Sequence, residues 1–380
     1  MIHKKILSGG IFAAVLLLAA GCDIPEITWE HVVEDDGLVY SLQQTRDGGY
    51  IVGGEKDTDF WVMKFGSSGM VKWEQTYRTE NLGAGETLYS IRQTRDGGYI
   101  AAGLYRAVPD GDSFRSDIWV VRIDRNGEKE WDFMYDRGDA DFTYAIQQTS
   151  DGGYVFAGGT RWDIEELVLT SWLVKLTPEG LLEWERLYND NGLALSGQQT
   201  ADGGYVMAGG VVDPSTYTAS TLIRKLDPSG EPEWEQSYGS TEHDGVRSVF
   251  QTSDRGYIAA GQTGVTGGDT SDCWILKLDD LGNIEWSNAY GGAGSQYSMA
   301  VRQTRDGGYI IAGGTEPDPS EPYDYLLLKI DQSGTEEWTR TFHYDEPTRG
   351  VAWDVWQTKD GGYITGGGKI ILKLDSEGRL

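Results

Sequence analysis

Beyond Cys22 the chain has a single cysteine, Cys273, so no intrachain disulfide framework is open to it. Histidine is almost as scarce. His3, His31, His243 and His343 make no H-x-x-x-H pair and no Ser-His-Asp set at a recognisable spacing. The Asp-rich stretches lack the D-x-[DN]-x-[DN]-G calcium loop. The sequence therefore singles out no catalytic residue, no metal site and no cofactor. Positive charge is also short: 32 Lys and Arg against 60 Asp and Glu leave a net charge of -28. A surface this acidic repels phosphate, which excludes nucleic acid as a partner, and attracts cationic ligands, basic peptides or divalent ions. Glycoside hydrolysis needs only two well-placed carboxylates and stays open.

What the sequence has is one phrase written seven times. Q-T-x-D-G-G-Y begins at Gln44, Gln93, Gln148, Gln199, Gln251, Gln303 and Gln357, with Arg255 replacing the first glycine of the fifth copy. Each copy is followed by a K/R-[hydrophobic]-D-x-x-G segment, with Gly66 and Thr177 in place of the Asp in the first and third, and, except in the last, by a Trp. Self-similarity at a period of about fifty residues marks a propeller or repeat array, whose units bury their faces only against neighbours. In the second unit, strands are expected at 90–94, 99–103, 118–124 and 129–135, with tight turns after the first and third. The D-x-x-G turns at 227–230 and 331–334 suit a type I turn closed by a left-handed glycine. In the Gly-Gly turns, the second glycine persists in every copy and is expected to take the positive φ.

The expected fold is all-β: a seven-bladed β-propeller with four antiparallel strands per blade, its last blade closed by the N-terminal strand. The seventh unit stops at 375–378 without a fourth strand, while an unpaired fourth-strand pattern lies at 27–30. Residues 27–33 are therefore expected to pair near 370–374, leaving no open edge. Groups that recur once per blade read as structural. They are the tryptophans Trp29, Trp73, Trp131, Trp184, Trp234, Trp286 and Trp338, and the bases Lys64, Arg122, Lys175, Lys225, Lys277, Lys329 and Lys373. The rings are expected between blades and the bases beside acids such as Glu74 or Asp132. The Gln side chains are expected to hydrogen-bond from blade to blade, and Cys273 to act as a small buried hydrophobe.

Before the repeats, Lys4 and Lys5 precede an apolar stretch at 11–20, too short to span a bilayer, and then Ala19-Ala20-Gly21-Cys22. This resembles a bacterial lipoprotein signal, which implies that Cys22 becomes the lipidated first residue of the mature protein. The organisation expected is a signal peptide at 1–21, a lipidated cysteine and short tether at 22–26, and the propeller at 27–380. The stretch from Arg122 to Trp131 resembles the tryptophan-bearing repeats of quinoprotein-like propellers, with a turn one residue shorter. Thr-x-Asp-Gly-Gly resembles the Asp-box of sialidase-type propellers, with its aromatic displaced to Tyr99 and its equivalents. Residues 27–380 resemble the secreted, often lipid-anchored proteins built from Q-T-x-D-G-G-Y repeats, a functionally undefined group; the resemblance implies fold and export, and no activity.

Spacing from Gln to Tyr within each copy, and from the strand-three base to the strand-four Trp, never changes. The links after strands two and four do vary, and in a meander both emerge on one rim, where binding residues are usually carried. That rim is expected to offer Trp162, Tyr105, Tyr217, Tyr323, Asp163, Glu165 and Glu166 to a protein, glycan or cationic ligand. The function expected is a membrane-anchored extracytoplasmic binding or scaffold module, non-enzymatic. The alternative is a carbohydrate-active or quinoprotein-like enzyme with its site on the same rim or in the axial channel.

Overall fold

A computed structural model of the protein describes residues 27–79, 85–106, 115–137, 140–163, 168–212, 219–239, 244–264, 270–316, 323–344 and 350–380; the side chains of residues 162, 163, 168, 212 and 219 fall outside that description. The described residues form 28 strands and no helix. The first unit is a meander of Leu38–Gln44, Tyr50–Lys56, Asp59–Phe65 and Val71–Tyr77, paired antiparallel in that order. Five further units repeat it. The seventh has Asp354–Gln357, Tyr363–Gly367 and Ile370–Leu374, and against the last of these lies Trp29–Val32, in the register Trp29 with Lys373 and Val32 with Ile370. One parallel bridge, Ala140 to Ser116, joins the second and third units into a continuous eight-stranded sheet. Ile364 and Ile371 of the seventh unit share a core cluster with Val39 and Leu42 of the first, so the units run round a ring. Twenty-eight strands thus fit seven propeller blades of four.

Strand composition sets the layering. Third strands such as Asp59–Phe65 and Ile370–Leu374 are buried along their whole length, because blades pack on both faces. Outer strands such as Lys129–Tyr135 are largely exposed. The second unit's strands run Gly85–Gln93, Tyr99–Arg106, Ser116–Ile123 and Lys129–Tyr135. The first three extend beyond their expected limits toward the variable links, since pairing continues as long as a partner strand runs alongside, as between Arg106 and Ser116.

The Gly-Gly turns correct one expectation. The first glycine, not the second, takes the positive φ, from 81° at Gly48 to 98° at Gly361, and Arg255 adopts it at 73° in the fifth blade. The second glycine persists for want of space: a Cβ on Gly49 would stand 2.2 Å from the Phe65 carbonyl oxygen, and one on Gly256 2.2 Å from that of Leu278. The D-x-x-G glycines, among them Gly230 and Gly334, do take the left-handed conformation.

The buried bases correct another. Glu74 and Asp132 accept instead from the indole N–H groups of Trp61 (2.7 Å) and Trp119 (2.9 Å) on strand three. Each base reaches the Asp of its own Q-T-x-D turn, as Lys175 does Asp151 (2.9 Å) and Lys373 does Asp360 (3.0 Å). From the second to the sixth blade it also meets the Glu just before the Trp, as Lys329 meets Glu337 (2.8 Å). Both neighbours of the Trp are polar, but the Glu before it sits on a β-bulge, the register slipping from Arg122–Trp131 to Ile123–Lys129, which turns Glu130 to the base while Asp132 meets the Trp119 indole.

These turn aspartates make the fold acid-sensitive. Burial pushes each carboxyl up, but bonds from the Thr hydroxyl, the Gly amide and the base outweigh it, holding Asp151 and Asp202 at about 2. A depressed folded pKa gives stability that is complete above the unfolded value and lost as pH falls through the folded one. Thermal stability is therefore expected to drop between about pH 4 and pH 2. Replacing Asp151 and Asp202 by Asn should flatten that drop in a circular-dichroism melt series. An unaltered slope would mean that other carboxylates govern it.

Two devices join neighbouring blades. Each outer-strand Trp meets the Tyr of the next blade's Q-T-x-D-G-G-Y edge to face, with centroids 5.4–6.0 Å apart and planes at 64–73°, Trp29 on Tyr50 included. Each repeat Gln accepts a hydrogen bond of 2.7–2.9 Å from a turn amide of the preceding blade, continuing round the ring to Lys359 N–H on Gln44. Its own amide donates to its turn's carbonyl. The Gln, Trp and basic residues are therefore structural, as their sevenfold recurrence implied.

Candidate functional site

The meander divides the ring into two unlike faces. One is built from short turns after first and third strands, each closed by its own bonds, such as Gly48 N–H to Thr45 O and Gly230 N–H to Asp227 O. The other carries the variable links. Of the residues expected there, Glu165, Glu166 and Tyr217, and the side chains of Trp162 and Asp163, lie outside the described residues; the strand Tyr154–Asp163 carries the latter two at its end. Tyr105 is only 7% exposed and packs in a core cluster with Phe60 and Trp119, because its strand runs on to Arg106 rather than ending at Gly103. Its ring is occupied between blades. Tyr323 does stand on the variable face, half-buried, edge-on to Tyr297 at 5.3 Å. Burial, followed by the Glu316 carboxylate, pushes its phenol up.

On the same face, at the seam of the second and third blades, Asp117, Asp136 and Asp141 bring their carboxylate oxygens within 4.8 Å of one another. Asp141 is fully buried and accepts from the Arg137 amide at 2.7 Å. Burial, then the charges of Asp136 and Asp141, lift Asp117 to about 6. Among the described residues this is the trio whose donor atoms lie close enough to hold a cation. Cys273 is buried and its thiol is pushed up to about 12 by burial, in keeping with a packing role.

The sequence did not single out the residues that line the axis. There a cavity of about 560 Å³ is bounded by the innermost strand of every blade. Two positions of that strand project into it. One is the residue just before the repeat Gln: Gln43, Arg92, Gln147, Gln198, Phe250, Arg302 and Trp356. The other lies four before it: Tyr40, Tyr89, Tyr144, Leu195, Arg247, Met299 and Trp353. In the first six blades this second position is a β-bulge, the pairing register slipping on either side of it, as between Leu88 and Ser90. The bulge turns the side chain into the axis.

The lining is cationic and aromatic. Asp354, 4% exposed, receives Arg92 of the second blade at 3.2 Å, Arg302 of the neighbouring sixth blade at 3.1 Å, and the Val355 amide at 3.0 Å. The Arg302 guanidinium lies over Trp356 (4.7 Å) and Phe250 (5.3 Å). Burial works against its charge, Asp354 for it and Arg92 against it, bringing it down to about 10. Trp353, Tyr40, Tyr89 and Tyr144, from four successive blades, form a chain of ring contacts 5.0–5.4 Å apart. A break in sevenfold symmetry was the available signal: both positions change from blade to blade while the residues around them repeat.

No family model matches the chain, and no curated protein matches it. Among solved structures it is similar to YCF48 bound to D1 peptide, at 10% identity over 92% of this chain and 97% of that one, with a TM-score of 0.55. It is likewise similar to Sqt1 of Chaetomium thermophilum, at 11% identity over 93% and 98%, TM-score 0.55. Drosophila Plexin A in complex with Semaphorin 1b aligns at 7% identity over 91% and 86%, TM-score 0.53. Likeness at this level of identity establishes the β-propeller fold.

Proposed function

We propose that the protein is an exported binding module, held at a membrane through lipidated Cys22, that engages a protein, glycan or cationic partner through its variable face. The observation carrying this reading is the division of labour between the two faces. The turns of the short-turn face are closed by their own hydrogen bonds, while non-repeating acidic and aromatic groups such as Asp117, Glu316 and Tyr323 gather at the other. YCF48 with D1 peptide and plexin with semaphorin put protein partners on the same architecture, an analogy at the level of fold.

In this reading Trp29–Val32 is the clasp of the ring, and the chain enters on the short-turn face. The four residues between Cys22 and 27 reach about 14 Å when extended, so that face lies against the bilayer. Arg305, Lys359, Arg46 and Arg95, at one turn position in four successive blades, give it a cationic arc suited to anionic headgroups.

A fractionation and capture experiment tests the whole. Wild type should sediment with membranes and incorporate a fatty-acid label, and C22S should do neither. W162A combined with neutralised Asp163, Glu165 and Glu166 should lose crosslinked partners at an unchanged melting temperature. An unlabelled wild type removes the anchor from the proposal, and an unchanged set of crosslinked partners removes this rim segment.

A further inference from the structure

The axial cavity presents a chemistry opposite to that of the rim. Five arginines line it, Arg46, Arg92, Arg95, Arg247 and Arg302, against one acid, Asp354, in a chain whose net charge is -28. We propose that this cavity binds a small organic oxyanion carrying a flat ring, its charge held by Arg92, Arg302 and Arg247 and its ring by Tyr40, Tyr89 and Tyr144.

Charge balance is the first support. Arg92 and Arg302 share the single carboxylate of Asp354, so one positive charge at the centre of the cavity has no counterion there. Arg247 is exposed and forms no ion pair among the described residues; its charge acts on the Tyr144 phenol nearby. Arg46 and Arg95 spend their guanidinium N–H groups on backbone carbonyls of the next blade, which satisfies hydrogen bonds without neutralising charge.

Unspent donors are the second. The Nε of Arg302 and the indole N–H of Trp356 are buried and have no hydrogen-bond acceptor among the described residues. Buried donors in native folds are normally satisfied, and both sit in the cavity wall. An oxyanion offers several acceptor lone pairs and is the partner that guanidinium groups bind most strongly. The aromatic chain supplies a flat apolar surface for a ring, and about 560 Å³ is a size typical of small-molecule sites.

A purely structural account assigns Arg92, Asp354 and Arg302 to bracing the second, sixth and seventh blades to one another. It uses both arginines but leaves one of their two charges without a carboxylate, and it leaves Arg247 and both idle donors unexplained. The two accounts differ over Arg247, which forms no ion pair among the described residues. Neither the rim nor the lipid anchor enters the inference, so it stands or falls apart from the partner-binding reading.

The test is calorimetric titration of the purified full-length chain with 4-hydroxybenzoate, phenyl phosphate and benzenesulfonate, beside neutral phenol and benzamide. At least one anion should bind one to one, about tenfold or more tighter than its neutral counterpart. Affinity should weaken with salt. R247Q should weaken it by about tenfold while melting like wild type, since that side chain is exposed. Preference among the three anions separates a carboxylate from a phosphate ligand. R302Q should abolish binding; if that variant does not fold, R247Q still decides. No binding of any anion by folded protein at millimolar concentration, equal binding of the neutral compounds, or unchanged binding by R247Q would each overturn the proposal.

Discussion

Removal of residues 23–35 is expected to lower the melting temperature by about 10 °C or more and to make the protein aggregate. Four residue pairs, Trp29–Lys373 to Val32–Ile370, would be lost, together with the Trp29 contacts on Tyr50 and Phe65 and the fully packed Val33. Backbone bonds contribute roughly 1 kcal/mol each, and a well-packed Trp about 3 kcal/mol. The total is several kcal/mol, against the roughly 5–15 kcal/mol that holds a typical protein folded. The freed strand Ile370–Leu374 would then offer bare N–H and C=O groups to another copy. Calorimetry and light scattering on the truncated chain check both effects. A truncated protein that melts like the intact one would deny Trp29–Val32 its role as the clasp.

The second large effect is expected at Lys373, which is fully buried. In blades two to six the base touches two acids, but Lys373 has Asp360 and the Leu374 carbonyl oxygen, and Thr28 stands where those blades carry Glu. Asp360→Ala leaves a buried ammonium without a counterion and should cost about 3–5 kcal/mol. Asp306→Ala is the matched control. It removes the same turn bonds, but Lys329 keeps Glu337 at 2.8 Å, so the loss should be nearer 1–2 kcal/mol, as for a hydrogen bond to a charged group. Urea unfolding of the two variants measures the difference. Equal losses would mean that the turn, and not the buried charge, is what the aspartate stabilises.

Local features were legible in the sequence and tertiary ones only partly so. Turns could be read because four residues contain all that determines them: the Asp, the spacing and the left-handed Gly334. The pairing of Trp29–Val32 with Ile370–Leu374 could be read because a fourth-strand pattern lacked a unit and a unit lacked a fourth strand. The roles of the two turn glycines could not be assigned, since the limit on Gly49 is a carbonyl oxygen sixteen residues away. Arg255 marked the left-handed site by tolerating it, a signal that reads equally well in either direction without coordinates. Tyr105 lies between blades because its strand continues past Gly103 to Arg106, and how far a strand pairs beyond a glycine depends on its neighbour, which local sequence does not show.

The axial site escaped for a different reason. Strand alternation assigns a side chain to a face by parity, and a bulge changes the parity in mid-strand. Arg247 and Tyr89 sit on such bulges, so counting from the repeat Gln sends them the wrong way. Arg92 and Arg302, one residue before the Gln, resembled ordinary variable positions until Asp354 brought them together from blades 262 and 52 residues apart in sequence.

The pairing of Trp29–Val32 with Ile370–Leu374 also sets how the ring bears a load. Antiparallel hydrogen bonds run across the strands, so a pull along the axis of Trp29–Val32 strains every pair from Trp29–Lys373 to Val32–Ile370 at once, in shear, instead of unzipping them singly. A pull across the sheet would peel them one after another. The attachment is thus strong in one direction and weak in the other, and a ring drawn away from a surface along that strand resists as a unit.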